Sequence, residues 1–378
     1  DNWTNQNDLA LKFDTGPVKH TTIVGTEFSK EKISIDRYAG LTSEAFGSQG
    51  TTGGGLQNQN MFSPAYTNLP FTTVPFLTGN PTRYDVDSKS AYVIDTANWR
   101  DVVILSGGLR YDGYAMRSSN NTASTTVDSD LINYNVGLVY KPMPIGSLYA
   151  AYATSANPFG SELDGTATDY GGIPPNSTII LGPERNKGAE IGTKWELVDR
   201  HLLVTGALFQ TVKENARETV NGLLTSGAAY RIQGIDLEAE GKLTDRWSIF
   251  GGLVLMQSKV TQSGVAANTG LQLANIAHQS LSVLTKYKFD DGWEIGGQAV
   301  YRSKVFGGTF AANTGNELPS YWRFDAFAEA KIDKNWTAKV FVANIFDKLY
   351  YDALYQSATP FVFVGPGRSA SIVLSGHF

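Results

Sequence analysis

The chain alternates. In YWRFDAFAEAKI (321–332), Trp322, Phe324, Ala326, Ala328, Ala330 and Ile332 share one parity, and Tyr321, Arg323, Asp325, Phe327, Glu329 and Lys331 share the other. WEIGGQAVYRSK (293–304) sets Trp293, Ile295, Ala299 and Tyr301 against Glu294, Gln298, Arg302 and Lys304. LINYNVGLVY sets Ile132, Tyr134, Val136, Leu138 and Tyr140 against Asn133 and Asn135, and QGIDLEAEGKL sets Ile235, Leu237, Ala239 and Leu243 against Asp236, Glu238, Glu240 and Lys242. A helix would scatter these charges around its cylinder, whereas a strand sends successive side chains to opposite faces. From about residue 83 onward such segments follow one another, and about fifteen strands are expected, the first only partly present near residues 8–14. The connections alternate too. Short polar turns fall at 14–17, 97–101, 141–146, 198–201, 244–246, 290–292 and 333–335. Between them lie long Gly/Ser/Thr/Asn-rich stretches near 38–82, 118–129, 156–184, 216–227, 259–276, 307–319 and 347–367.

Strands about ten residues long, tight turns at one end and long loops at the other describe a transmembrane antiparallel β-barrel of the outer-membrane type. The turns would lie in the periplasm and the loops outside the cell. Closed barrels and helices alone satisfy every backbone polar group in hydrocarbon. Trp247, Trp293 and Trp336 just after short turns, Trp195 just before one, and Phe289 and Tyr140 beside others fit an interfacial girdle. A soluble propeller or sandwich would also alternate, but its core face would carry more Leu, Ile and Val. It also offers no reason for connections that alternate short and long.

Composition narrows the chemistry. A net charge of −5 over 378 residues argues against nucleic acid as a partner. The absence of Cys removes disulfides, thiolate metal sites and thiol nucleophiles together. The four histidines (His20, His201, His278, His377) have no metal-ligand spacing, and no GxSxG elbow, P-loop or strand-linked GxGxxG occurs, so neither a catalytic nor a metal site is expected. The start has no basic and apolar leader pattern, and no run reaches the roughly 18–20 apolar residues of a membrane helix.

Four stretches carry a family resemblance: LGPERNKGAEIGTKWEL (181–197), YRIQGIDLEAEGKLTDRWSIFGGLVLMQSKV (230–260), NIFDKLYYDAL (344–354) and GPGRSASIVLSGHF (365–378). In order and spacing they resemble TonB-dependent siderophore receptors. NAR at 215–217 and YWRFDAFA at 321–328 look most like the receptors for ferric catecholate siderophores. The resemblance implies a barrel of twenty-two strands filled by an N-terminal plug with a TonB box before it. Residues 1–378 would then be a partial barrel domain lacking plug, TonB box and signal peptide. It implies a bacterial outer-membrane location and no enzymatic activity. The partners implied are a ferric siderophore, the TonB system acting through the plug, outer-membrane lipid, and the barrel-assembly machinery reading the terminal Phe378. No cofactor is implied, because iron enters already chelated as the ferric siderophore. The alternatives are a plugless passive diffusion pore and a receptor fragment that does not transport.

A ferric catecholate is anionic with aromatic edges, so its site calls for guanidinium or ammonium groups beside rings. Parity and position near the loops select Tyr114, Arg302, Lys304, Phe306, Tyr321 and Arg323 as substrate-binding candidates. Arg117, Arg185, Arg217, Tyr230 and Tyr355 lie in or beside long loops and join them. The competing reading pairs Arg302, Lys304 and Arg323 with Glu294, Asp325 and Glu329 across neighbouring strands. Arg110, Asp112, Asp236, Glu238, Glu240 and Lys339 read as lumen groups facing water or a plug, and Tyr350 and Tyr351 as packing residues.

Overall fold

The computed structural model describes residues 1–36, 38–39, 76–161, 163, 172–290, 292–307, 316–355 and 361–377. Fifteen strands form one antiparallel sheet in chain order. They are β1 (Asn2–Thr15), β2 (Val18–Ile35), β5 (Thr82–Trp99), β6 (Val103–Ser119), β7 (Ser124–Met143), β8 (Gly146–Asn157), β9 (Glu184–Leu197) and β10 (Leu202–Val220). The series continues with β11 (Leu223–Lys242), β12 (Trp247–Gln262), β13 (Gln279–Lys288), β14 (Trp293–Arg302), β17 (Tyr321–Lys331), β18 (Trp336–Ala343) and β21 (Ser369–Gly376). Three short ladders lie in the long connections: β3 (Tyr38–Ala39) with β4 (Phe76–Leu77), β15 (Val305–Phe306) with β16 (Glu317–Leu318), and β19 (Tyr351–Tyr355) with β20 (Phe361–Val364). Among the described residues, one 3-10 turn (Ala266–Asn268) is the only helical element, and no pair joins β1 to β21.

Each short turn falls where the polar clusters were expected, but three other expectations need correction. The first strand is complete, since β1 pairs with β2 from Asn2↔Glu31 to Thr15↔Val18. The stretches 118–129 and 216–227 are not long loops. Strands β10 and β11 run on until Val220↔Leu223, closed by Asn221 and Gly222 at φ 51° and 80°. Two successive left-handed residues make the hairpin turn that matches strand twist, and Asn-Gly is its preferred sequence. Likewise β6 and β7 stay paired to Ser119↔Ser124, and the Asn120 side-chain oxygen accepts the N–H groups of Thr122 (2.9 Å) and Ala123 (2.8 Å). Small polar residues there form strands that stand clear of the apolar zone, so their composition looks like loop.

The two faces differ as the alternation requires. On one face Ile132, Ile191, Leu208 and Ile372 are 58%, 60%, 56% and 77% exposed, too much for groups that water alone would surround. Opposite them lie charged and amide side chains such as Glu190, Asp236 and Gln298. Buried apolar clusters lie at the loop end. One joins Tyr84, Val86, Met116, Val127, Phe159 and Ile173, and the other joins Ala277, Val305, Leu318 and Leu354.

On the polar face, aromatic rings lie across glycines directly opposite: Tyr92 on Gly25, Tyr149 on Gly192 and Phe327 on Gly296. The ring shields a strand position that has no side chain of its own. A Cβ on Gly192 would stand 2.6 Å from the Tyr149 ring, so Gly192→Val is expected to lower stability by about 1–3 kcal/mol through overpacking. Gly188, on the same strand and face, has nothing within 4 Å of that point, and Gly188→Ala is expected to stay within about 0.5 kcal/mol of the parent. Denaturant unfolding followed by heat-modifiable gel mobility measures both.

Candidate functional site

At the loop end of β14, β17 and β18, three predicted residues come together. Arg302 and Tyr321 are direct cross-strand partners, and the guanidinium lies 5.1 Å from the Tyr321 ring centroid. Arg302 also donates to the carbonyl of Tyr351 at 2.6 Å and to that of Asp352. The Tyr321 ring lies tilted against that of Tyr350, centroids 4.6 Å apart, and Arg323 donates to the Tyr350 hydroxyl at 3.4 Å and to Asp325 at 3.1 Å. Asp325 is almost wholly buried and accepts the Asn344 N–H at 2.8 Å. Asn344, held at φ 49°, spends its side-chain amide on the carbonyls of Lys348 and Pro366 and accepts from the Lys348 N–H. The segments 344–354 and 365–368 are therefore tied by short polar side chains to the end of β17. Lys304 stands beside this knot, paired with Glu317 at 2.9 Å and 5.5 Å from the Phe306 ring centroid.

A second knot holds the other side. Glu184 begins β9 beyond the apolar zone and is buried against Lys213, which donates to it at 2.8 Å, and the Arg217 N–H, which donates at 3.1 Å. Asn157 donates to the same carboxylate at 3.3 Å. Asn215 Nδ2 donates to Pro183 O at 2.8 Å, and Arg217 covers the Phe159 ring at 5.3 Å while donating to Pro158 O. The Tyr114 hydroxyl donates to Gly160 O at 3.2 Å, anchoring the same segment. Burial pushes the Glu184 carboxyl up, but the Lys213 bond, the Arg217 N–H and both charges outweigh it and hold the carboxyl below its ordinary value. Burial and the nearby Glu218 and Glu184 charges push the Tyr230 hydroxyl well above its ordinary range, so it stays protonated.

On β1, β2, β5 and β6 the polar face is laced from strand to strand. Gln6 donates to Tyr92, Tyr92 to Asp8, and Arg110 bridges Asp112 at 2.7 Å and Glu27 at 3.1 Å while lying 5.2 Å from the Tyr92 centroid. A cavity of about 980 Å³ lies against β8 to β13 and is lined by residues of both parities, Glu190, Phe209 and Met256 of one and Ile191, Leu208 and Ile235 of the other.

The structure thus gathers Arg302, Tyr321 and Arg323 with Lys304 and Phe306 nearby, and places Tyr114, Arg217 and Tyr230 in a separate group. It leaves out Arg117 and Arg185, whose strand positions alternate with the buried Met116, Ser118 and Glu184 and so point to the apolar-side face. Tyr355 pairs through its backbone with Phe361, and Phe378 lies outside the described residues. The cross-strand ion pairs considered from sequence are replaced by others. Arg323 takes Asp325 of its own strand, Glu294 takes Lys286, Glu329 takes Lys339, and Arg302 binds backbone carbonyls. Sequence reasoning missed Glu184, Lys213 and Asn344 as anchors. The signal was present, because LGPE, NAR and NIFD each supply an amide or carboxylate to a strand end.

The Glu184 knot sets a pH dependence. A carboxylate whose folded value is lowered contributes stability above its ordinary value near 4.5, and that stability is lost as pH falls through the folded value. Glu184→Ala, which takes away the acceptor of Lys213 and of the Arg217 N–H, is expected to cost about 3 kcal/mol at neutral pH. The gap from the parent should close below the carboxylate range. Unfolding at pH 7 and pH 3 measures it.

Comparison with known proteins agrees with this geometry. Residues 1–345 match the model of the TonB dependent receptor-like beta-barrel family. The probable TonB-dependent receptor BfrD of Bordetella pertussis is 34% identical over 98% of this chain and 52% of its own length. The probable TonB-dependent siderophore receptor PiuA of Acinetobacter baumannii is 32% identical over 99% of this chain and 52% of its own. The crystal structure of PiuA superposes with a TM-score of 0.83 at 30% identity, covering 99% of this chain and 55% of that one. The closed form of the ferric-catecholate import receptor Fiu of Escherichia coli K12 gives 0.84 at 24% identity, covering 100% and 54%. The chain spans about half the length of the curated relatives it matches. The family consists of outer-membrane receptors and not of enzymes, and its strands cross the membrane. The antiparallel sheet of fifteen strands, apolar on one face and polar on the other, follows the fold of these barrels over the part that it spans, and the chain belongs to the TonB-dependent receptor β-barrel family.

Proposed function

We propose that this chain is barrel from an outer-membrane receptor that imports ferric siderophores of the catecholate type, with TonB supplying energy through a plug domain. The observation that carries the reading is the loop-end grouping of Arg302, Lys304, Phe306, Tyr321 and Arg323, where cations lie against or beside aromatic rings. Relatives named as siderophore receptors, and the Fiu receptor named for ferric catecholates, support it. Iron is cargo here, chelated before it arrives, so recognition falls to groups that read an anionic, aromatic-edged complex.

The bonds of the site divide the work. Arg302 keeps its guanidinium face on Tyr321 while its N–H groups hold the carbonyls of Tyr351 and Asp352, and Arg323 donates edge-on to the Tyr350 hydroxyl. A planar guanidinium binds through its edge and stacks through its face at once, which an ammonium cannot do. Lys304, at the mouth and 55% exposed, exchanges Glu317 for an incoming anion at little cost, since an exposed pair contributes about 0–1 kcal/mol. Arg117 and Arg185 stand on the other face and have no part in this step.

Uptake by the native receptor in iron-restricted cells tests the reading. Deleting the gene should abolish growth on at least one defined catecholate siderophore, and unchanged uptake of every catecholate would remove the proposal. In the complemented strain, Lys304→Ala should raise the half-saturating concentration by about 3–10-fold, the range expected for one charge-assisted contact. Arg117→Ala should leave it unchanged.

A further inference from the structure

Among the described residues β19 pairs with β20 and with no other strand, so its second edge has no ladder partner. Two side chains close that edge. Arg302 donates to the carbonyls of Tyr351 and Asp352. Asn275 serves Leu354: its Nδ2 donates to the Leu354 carbonyl at 2.9 Å, and its Oδ1 accepts the Leu354 N–H at 3.1 Å. A primary amide carries a donor and an acceptor side by side, so one side chain stands in for a neighbouring strand.

Asn275 holds a third segment as well, because its own N–H donates to the Phe306 carbonyl at 2.8 Å. It thereby ties the connection between β12 and β13, on which it stands, to both β15 and β19. Its backbone suits the task, since φ is 56°, in the left-handed region that Asn enters more readily than most residues. Ala277, Val305, Leu318 and Leu354 pack together beside the tie, and Leu354 lies over Gly307. Apolar packing is non-directional, however, and leaves the aim of β19 to the hydrogen bonds.

That aim decides the surroundings of Tyr321. The Tyr321 ring lies against Tyr350, its hydroxyl donates to Asp352 at 3.4 Å, and Arg323 donates to the Tyr350 hydroxyl. We infer that Asn275 is a positioning residue for the siderophore site, an inference that rests on the function proposed above. An anionic ligand competes for the N–H groups that Arg302 spends on Tyr351 and Asp352. As those bonds weaken, the hold on the open edge passes to Asn275. Its amide therefore counts for more with ligand bound than without, and its loss lowers affinity.

The test uses the full-length receptor in the complemented, iron-restricted strain, with a catecholate siderophore that supports growth of the parent. Asn275→Gly keeps the left-handed backbone and removes the amide. The half-saturating concentration should rise about 3–10-fold, with the maximal rate per receptor within about twofold of the parent. A merely structural role would do the reverse, lowering the maximal rate with the amount of receptor and leaving half-saturation unchanged. A second readout needs no substrate. A nitroxide on Phe363→Cys, at an exposed position of β20, should give a sharper spectrum in the Asn275→Gly background. Unchanged half-saturation, or an unchanged label spectrum, would overturn the inference and leave the siderophore reading standing. A parent that takes up no catecholate overturns that reading first, and the inference with it.

Discussion

The requirement that no backbone N–H or C=O be left unpaired in hydrocarbon governs this molecule. Water cannot repair a missed bond there, so strands must follow one another in unbroken register. The pairing of β2 with β5 over eighteen residues and of β6 with β7 over seventeen shows how fully it is met. The same constraint decides where side chains can be small. Gly25, Gly192 and Gly296 keep their places in the ladder because an aromatic from the facing strand covers each.

Once the strands leave the bilayer, the constraint relaxes and side chains take over the chain's direction. Glu184 and Asn344 do this with groups that are short, buried and fully hydrogen-bonded, so each fixes several backbone atoms at once. Such polar knots tolerate substitution poorly, since removing one partner leaves the others unsatisfied in a dry site. The arginines are less specialised. Arg302 ties down 351–352 and presents its face to Tyr321, so structure and recognition share one side chain.

Much of this was legible from residues alone, for a physical reason. A period of two with a membrane on one side produces Ile372 and Leu374 outward and Ser371 and Ser375 inward without any tertiary information. Short turns announce themselves because two to four residues must reverse the chain. Extensions such as β10 and β11 near Asn221 were read as loops because, beyond the bilayer, neither face needs to be apolar and the alternation fades. The site was harder. Parity correctly placed Arg302, Tyr321 and Arg323 on one face, but it could not say that Arg302 would bind Tyr351 and Asp352 rather than Glu294, since those partners come from fifty residues away. Arg117 and Arg185 failed for the converse reason, because a loop assignment hid the strand parity that turns them outward.

One parity of each membrane-spanning strand faces lipid and the other faces a polar interior. Because the chain contains no cysteine, single cysteines carrying a nitroxide label can be placed at each position from Tyr321 to Lys331 in the membrane-embedded protein. Collisions with oxygen, which partitions into lipid, and with a water-soluble nickel chelate should then both oscillate with period two and in opposite phase. Oxygen should peak at Phe324, Ala326 and Ala328, and nickel at Arg323, Asp325 and Glu329. In-phase curves, or a period near 3.6 residues, would contradict the account.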